Sequence, residues 1–149
     1  MIRNGWHLYR HRLFAERVNE LEEAVASLAA SDPAGYRQHP KTRLLASVFK
    51  AIAETVPASP ADSLFRLGHM LGEDHPHWRR VKKGMPQRYR LFFRFASSPP
   101  PLIVYVWLNG EDSLRKEGAK TDVYGRFRNM LERGVVPDGI EGLLAEISD

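Results

Sequence analysis

The 149-residue sequence predicts an α+β domain in which N-terminal helices, a β-hairpin, a buried strand and a C-terminal helix follow one another. Three observations support this prediction. Apolar residues have helical spacing before residue 56, residues alternate in a basic segment at 78–95, and residues 102–108 are almost wholly apolar. A chain of this length usually forms one domain with its own core, so we expect a single domain over residues 1–149.

The N-terminal third predicts a short strand and a pair of helices. Trp6 to Tyr9 alternates weakly, as a short strand does, and Leu13 to Ala30 has helical periodicity. The first helix is expected to bury Phe14, Val18, Leu21, Val25 and Leu28. A second helix is expected from Pro40, because proline suits the first helical position, to about Thr55. Its expected buried residues are Leu44, Leu45, Val48, Phe49 and Ile52. The two helices are predicted to form a helical hairpin.

A basic hairpin is predicted at residues 78–95. Residues 79–94 contain seven Lys or Arg and no Asp or Glu. Trp78 to Lys83 and Arg88 to Phe95 are the two expected strands. The period of two places one apolar row on one face of the second strand, comprising Tyr89, Leu91, Phe93 and Phe95. The opposite face carries Arg90, Phe92 and Arg94, and pairing of the strands is expected to bring Arg80 and Lys82 near Arg90.

The remaining elements follow from composition and capping signals. Leu64 to Leu71 is expected to be a strand or an extended segment, and Leu102 to Leu108 a central strand covered on both faces. Thr121 is the expected N-cap of the C-terminal helix, which should end at Gly134. The expected buried residues of this helix are Val123, Phe127, Met130 and Leu131. Residues 140–147 are expected to form a last short helix.

Composition and charge limit the possible functions. The chain has no cysteine, which excludes disulfides, thiol nucleophiles and Cys-based zinc sites. It has neither an apolar run of transmembrane length nor a signal peptide, so we expect a cytoplasmic protein with no membrane partner. The net charge of +4 is uneven, because residues 79–130 contain twelve basic and four acidic residues. This basic region indicates an anionic partner such as RNA.

Known catalytic motifs for nucleotide binding, zinc proteolysis and serine hydrolysis are absent from the sequence. The run from Asp74 to His77 is expected to be a polar loop, and we expect neither a metal nor a cofactor. A group of cationic and phenolic residues remains: Arg80, Lys82, Arg90, Arg94, Arg115, Lys120 and Tyr124. Such groups can stabilise the negative charge that develops when a ribose 2′-OH attacks the adjacent phosphate. The same groups could also hold phosphates without cleavage.

Short motifs in order along nearly the whole chain indicate a family. They are Asn4-Gly5-Trp6, Leu8-Tyr9, Arg80-Val81-Lys82, the run from Arg88 to Arg94, Trp107, Asn109, Leu114-Arg115, Gly118, Lys120-Thr121-Asp122, Tyr124, Phe127 and Met130-Leu131 to Gly134. Together they resemble the YhaV-type toxins of toxin–antitoxin systems, within the RelE superfamily of ribonucleases. The resemblance implies a RelE-like fold, with N-terminal helices on a twisted antiparallel sheet and a C-terminal helix beside the active face. It also implies metal-independent endoribonuclease activity that cuts mRNA and stops translation and growth.

The resemblance also implies roles for individual residues. The candidate catalytic residues are Lys82, Arg90, Arg115, Lys120 and Tyr124. Arg80 matches the first-strand cations as an alternative to Lys82, and Arg115 and Lys120 are alternatives for one remaining cation. The candidate RNA-binding residues are Arg80, Phe92, Arg94 and Asp122. Tyr89, Tyr105 and Trp107 are expected to lie in the core.

The expected partners are a cognate antitoxin and mRNA, either free or bound to ribosomes. Operator DNA is expected to be contacted only through the antitoxin complex. A chain that cuts cellular RNA must be controlled, and a basic surface suits an acidic, flexible antitoxin segment. Two alternatives stay open at this point. One is a noncatalytic nucleic-acid-binding module or co-repressor subunit, and the other is a degenerate family member that acts only as a structural partner.

Overall fold

The fold was obtained as a computed structural model, and the structure describes residues 1–148. The strands are β1 (Ile2–Arg3), β2 (Trp6–Arg10), β3 (Arg79–Val81), β4 (Leu91–Ala96) and β5 (Leu102–Leu108). The helices are α1 (Arg12–Ser31), α2 (Pro40–Lys50), α3 (Val56–Ala58), α4 (Val123–Glu132) and α5 (Ile140–Leu144). The strands form one sheet in the order β1-β2-β5-β4-β3. The predicted α+β class is therefore confirmed, and none of the described helices is long and apolar enough to cross a membrane.

The sheet is mixed, which corrects the prediction of an antiparallel sheet. β2 runs parallel to β5, with His7 opposite Leu102 and Arg10 opposite Tyr105. The other three strand pairs are antiparallel. β2 leads directly into α1, and the helices α1 to α3 follow before the chain rejoins the sheet at β3. A parallel pair needs such a long crossover connection, whereas the nine-residue connection between β3 and β4 is too short for a crossover and is consistent with their antiparallel pairing.

The central strand β5 is covered on both faces, as its apolar sequence predicts. On the face that we call the α1–α2 face, Leu91, Phe93 and Tyr105 pack with residues of α1 and α2. On the opposite face, the α4 face, Phe92 and Val104 pack with residues of α4. The alternation predicted for β4 is thus confirmed. Tyr105 is also confirmed as a core residue, and its hydroxyl donates a hydrogen bond to the Ile52 carbonyl at 2.9 Å.

A β-bulge adjusts the register between β4 and β5. Phe92 pairs with Trp107, but Phe93 pairs with Tyr105, so that Val106 is the extra residue on β5. Because a bulge interrupts the alternation of side chains, Val106 and Trp107 both pack on the α4 face. The half-buried ring of Trp107 stacks on Phe127 at 5.6 Å, which agrees with its predicted core position.

Helices α1 and α2 form where the periodicity predicts them, but of their predicted core residues Val25 and Leu28 are only partly buried and Phe49 is exposed. Pro40 is at the start of α2, and the His39 ring accepts a hydrogen bond from the Lys41 amide at 3.2 Å as its N-cap. A π-helical stretch, Ala51–Thr55, joins α2 to α3. The predicted burial of Phe49 is wrong, since 37% of the residue is exposed beside a small cleft that contains Met1. Phe49 lies at the margin of the apolar stripe, where the helix passes the sheet edge.

Two other local predictions need correction. Leu64 to Leu71 is not a strand, because it contains a 3₁₀ turn at Ser63–Phe65 and only one isolated bridge, from Arg66 to Arg79. Gly68 has a φ of +60°, which breaks the extended path. The N-cap of α4 is Asp122, one residue after the predicted Thr121. Gly134 follows α4 with a φ of +72°, as expected for a glycine at a helix C-terminus.

His11 couples the start of α1 to the C-terminal segment and gives the fold a dependence on pH. Its ring is buried, Nδ1 accepts a hydrogen bond from the Leu13 amide at 3.2 Å, and Nε2 lies 2.7 Å from the Glu146 carboxylate. Burial lowers the pKa of His11 below its ordinary 6.5, although Glu146 opposes this. The neutral ring is the form that the fold requires, because protonation of Nδ1 removes the acceptor for Leu13.

We therefore predict that this contribution to stability is present above pH 6.5 and is lost as the pH falls below that value. Unfolding in urea at a series of pH values measures the effect. The His11→Asn variant is the control, since asparagine can cap a helix but does not titrate. The wild-type protein should lose more stability between pH 7.5 and pH 5.5 than this variant does. Equal losses of stability in the two proteins would show that His11 is not the source of the pH dependence.

Candidate active site

The hydroxyl of Tyr124 lies between two arginines, one in the first strand of the basic hairpin and one directly before the second. Arg80 Nε donates to the hydroxyl oxygen at 3.1 Å and Arg90 Nε donates to it at 3.0 Å. Arg80 belongs to β3, Arg90 directly precedes β4, and Tyr124 is in the first turn of α4. We call Arg80, Arg90, Arg115 and Tyr124, together with Asp122, the Tyr124 site.

The register of β3 and β4 places Arg80 on the α4 face. Arg80 pairs with Phe92, whose side chain faces α4. The Arg80 Nη1 group donates to the carbonyls of Leu64 and Arg66, at 3.2 and 2.7 Å, so the loop before β3 fixes the guanidinium. The Tyr124 ring is held edge-on against Phe92, with the ring centroids 5.8 Å apart. Strand pairing and aromatic packing thus bring the Arg80 guanidinium and the Tyr124 hydroxyl together.

Arg90 is nearly buried, with 8% of its surface exposed. Its Nη1 donates to its neighbour's carbonyl, that of Tyr89, at 2.8 Å. Within residues 1–148, neither Arg80 nor Arg90 forms an ion pair with a carboxylate. Buried charges are costly unless they are paired, so this arrangement favours an anion at the site.

Asp122 caps the start of α4 and fixes the residues beside Tyr124. Its carboxylate accepts hydrogen bonds from the backbone amides of Lys116 and Tyr124, at 2.7 and 3.2 Å, and pairs with Arg115 at 3.0 Å. The Arg115 guanidinium carbon lies 4.9 Å from the centroid of the Tyr124 ring. The site therefore contains three guanidiniums and one carboxylate, and it remains positively charged.

Two residues predicted to bind RNA are buried in the protein's own contacts. Phe92 is fully buried between Trp107, Tyr124 and Phe127, so its ring has no free face for a base. The apolar interior formed under α4 accounts for this correction. Asp122 is 6% exposed, and its oxygens are used by the protein's own donors. Its position is that of a helix cap, which replaces the predicted contact with RNA.

Three other predicted residues are outside the Tyr124 site. Lys82 is exposed directly after β3, and Lys120 lines a different cleft, between α1 and α4. Arg94 lies four residues beyond Arg90 along β4, which is about 13 Å in an extended strand. The Arg94 side chain donates to the Asp138 carbonyl, and its guanidinium carbon lies 6.0 Å from the Trp78 ring.

Asp138 is the centre of a separate cluster that anchors this end of β4. Its carboxylate accepts hydrogen bonds from Trp78 Nε1 at 2.8 Å and from the His75 ring at 3.1 Å. Burial raises the pKa of Asp138, but these hydrogen bonds and the nearby charges of His75 and Arg94 outweigh burial and hold the pKa below its ordinary range. The cluster gives Arg94 a structural environment, away from Tyr124.

Asn109 is a residue that the sequence reasoning used only as part of the resemblance. It directly follows β5, is fully buried, and contacts the backbone beside Arg90. A polar residue at the end of a wholly apolar strand is the signal that could have identified it.

Within residues 1–148, no group of three or more His, Asp or Glu side chains is arranged to hold a metal ion. A cleft of about 860 Å³ lies on the α1–α2 side, between α1, α2 and the turn after β3.

Comparison with known proteins identifies the family of the chain. A family described as a toxin with endonuclease activity, of a toxin–antitoxin system, matches residues 8–148. The chain belongs to the YhaV toxin family. The ribonuclease toxin YhaV of Escherichia coli K12 is 42% identical over 147 residues, which cover 98% of this chain and 94% of that protein. Toxin YhaV of Escherichia coli O157:H7 has the same identity and coverage. No solved structure matches the chain significantly.

Membership of the YhaV family confirms the prediction of a toxin with endonuclease activity from a toxin–antitoxin system. It also implies an antitoxin partner. The individual site residues remain predictions, and the structure brings Arg80, Arg90, Arg115 and Tyr124 into one group.

Proposed function

We propose that this YhaV-family toxin cleaves mRNA by a metal-independent mechanism at the Tyr124 site. The observation that carries the proposal is the Tyr124 hydroxyl held between the guanidiniums of Arg80 and Arg90. The name of the Escherichia coli K12 relative, a ribonuclease toxin, supports RNA as the substrate. We further propose a RelE-like arrangement of the N-terminal helices and sheet, and action in the cytoplasm, where mRNA is translated.

In the proposed reaction, a ribose 2′-oxygen attacks the adjacent phosphorus and the bond from phosphorus to the 5′-oxygen breaks. A base takes the 2′-OH proton, and an acid gives a proton to the leaving 5′-oxygen. The pentacovalent state carries more negative charge than the ground state. The fixed guanidiniums of Arg80, Arg90 and Arg115 stabilise this extra charge, and they need no reorganisation to do so.

The hydrogen bonds of Tyr124 favour a donor role for its hydroxyl. A phenolic oxygen has two acceptor lone pairs and one hydrogen. Arg80 and Arg90 occupy the acceptor positions, so neither arginine uses the hydrogen. Tyr124 is 4% exposed, so in this proposal a phosphate or leaving oxygen must reach a nearly buried hydroxyl to accept that hydrogen. We therefore assign Tyr124 as the general acid. Lys82 and Lys120 both stay candidates for the general base. Lys82 lines a cleft beside α2, and Lys120 lines a cleft between α1 and α4.

Cleavage in the presence of a chelator tests the proposal against the noncatalytic alternative. We expect the purified chain to cut single-stranded RNA, or mRNA on ribosomes, in EDTA. The products should end in a 2′,3′-cyclic phosphate, or in the 3′-phosphate formed when water opens that ring, because the bond to the 5′-oxygen breaks and the 3′-oxygen stays bonded to phosphorus. RNA binding without any cleavage would instead support the noncatalytic module, and products with 3′-hydroxyl ends would contradict the mechanism.

The same surface is the proposed site of control by the antitoxin. Lys82, Lys83 and Arg88 are exposed in the connection between β3 and β4, and the described ion pairs include none of them. An acidic, flexible antitoxin segment that folds on this surface would cover the Tyr124 site, and its binding would weaken with added salt. Any contact with operator DNA is proposed to occur only through the antitoxin complex.

A further inference from the structure

The side chain of Asn109 uses its amide to join three backbone groups inside the protein. Its Oδ1 accepts a hydrogen bond from the Arg90 amide at 2.8 Å. Its Nδ2 donates to the carbonyls of Arg88 at 3.1 Å and Ser113 at 2.9 Å. Asn109 is fully buried, so water cannot replace these bonds without a rearrangement.

The groups that Asn109 joins belong to the two segments that carry site arginines. One segment, residues 88–90, leads into β4 and ends at Arg90. The other, residues 113–115, ends at Arg115, whose amide also donates to the Arg88 carbonyl at 2.9 Å. Arg88 has a φ of +73°, an unfavourable conformation for a residue with a side chain, which indicates that its surroundings hold it in place.

Buried asparagines often hold a loop in place through backbone hydrogen bonds. At Asn109, the two segments that are held also carry arginines of the Tyr124 site. Both joined segments place a guanidinium against Tyr124, one at its hydroxyl and one over its ring. A shift of the segment 88–90 relative to the segment 113–115 would therefore change the distance between Arg90, Arg115 and Tyr124. Misplacement of reacting groups by about 1 Å can cost about 100-fold in rate.

We propose that Asn109 is a positioning residue for RNA cleavage, which holds Arg90 and Arg115 in register around Tyr124. This inference rests on the proposed function. Asn109 does not touch the substrate in this account. It acts through the backbone of Arg90 and through the carbonyl of Arg88, which it shares with the Arg115 amide.

The Asn109→Asp variant tests the proposal because it keeps the shape of the side chain and the acceptor for Arg90. It replaces the amide donor with an oxygen that faces two carbonyls, so both donor bonds are lost. We expect kcat to fall by about 10- to 100-fold with KM changed by less than about threefold. Protonation of the new carboxyl restores one donor. The ratio of variant to wild-type kcat should therefore rise as the pH falls.

Tyr105→Phe is the matched control, because it also removes a buried hydrogen bond to a backbone carbonyl but lies on the α1–α2 face. It should lose stability and keep kcat. In an Arg90→Ala background, Asn109→Asp should cost less than it does in the wild-type background, because the part of its effect that acts through Arg90 is already lost and only the part through Arg115 remains. Asn109→Ser, which keeps a smaller donor, provides a second variant if Asn109→Asp does not fold.

Wild-type protein in the same assay separates two kinds of failure. If wild-type protein does not cleave RNA in EDTA, the proposed function is wrong. If it cleaves and a folded Asn109→Asp or Asn109→Ser variant has wild-type kcat, the positioning role is wrong. An additive effect with Arg90→Ala, a constant ratio across pH, or two variants that both fail to fold would likewise overturn the proposal and leave Asn109 as a residue of the core.

Discussion

Replacing Arg90 with alanine should lower the rate of RNA cleavage by about 100- to 1000-fold and remove toxicity in cells. The guanidinium is nearly buried, donates to the Tyr124 hydroxyl, and has no carboxylate partner within the described residues. It is therefore fixed in advance at the point where, in the proposed reaction, negative charge develops. Because Arg80 and Arg115 also surround Tyr124, loss of Arg90 removes a like charge from the group, and the fold should persist.

Two further variants give this prediction its controls. Arg128→Ala removes one positive charge from the exposed side of α4, where Arg128 pairs with Glu132, and should cleave at the wild-type rate. Arg90→Lys keeps the charge but loses the Nε donor to Tyr124, so its loss of rate should be close to that of Arg90→Ala. Circular dichroism and thermal unfolding check the fold. A folded and fully toxic Arg90→Ala protein would remove Arg90 from the mechanism.

The second large effect is expected from Tyr124→Phe, which should lower cleavage by about 100-fold. This change keeps the ring that packs on Phe92 and deletes only the hydroxyl. It removes the proposed acid, and it also leaves the Nε groups of Arg80 and Arg90 without their acceptor. Unmaking buried hydrogen bonds of this kind costs about 1–3 kcal/mol, so the variant should also be less stable.

A control must therefore show that the lower cleavage rate of Tyr124→Phe does not come from its lower stability. Tyr105→Phe serves again, since the Tyr105 hydroxyl is buried and bonded to the Ile52 carbonyl on the opposite face of the sheet. Both variants should be destabilised, but only Tyr124→Phe should lose cleavage at a temperature where both are folded. If both retain the wild-type rate, Tyr124 is not the acid, and the proton-transfer assignment passes to Lys82 or Lys120.

Periodicity predicted the parts of this fold that depend on local sequence. The three- and four-residue spacing of α1 and the alternation in β4 each assigned a buried face, because side-chain direction follows directly from helix and strand geometry. The basic hairpin followed from the same alternation, and so did the placement of Arg80 and Arg90 near each other. Their joint contact with Tyr124 depends on the docking of α4, which the sequence pattern does not contain.

The errors arise where distant parts of the chain meet. The parallel pairing of β2 with β5 depends on how the helices cross the sheet, and no local pattern reports that path. Phe92 has the alternation of an outward residue, but α4 covers that face and buries it. Lys120 and Arg115 are equally plausible cations by charge and spacing. In the structure, the ion pair with Asp122 and the backbone bond to Arg88 hold Arg115 at Tyr124, whereas Lys120 lines the cleft beside α1.

The central claim is that an RNA 2′-oxygen attacks phosphorus at the Tyr124 site without a metal. The most direct test uses an RNA oligonucleotide in EDTA, with a single 2′-deoxy substitution at the nucleotide on the 5′ side of the cut. We predict that the unmodified RNA is cleaved to a 2′,3′-cyclic phosphate or 3′-phosphate end and that the substituted RNA is intact at that bond. Cleavage of the substituted bond at the normal rate would contradict the account.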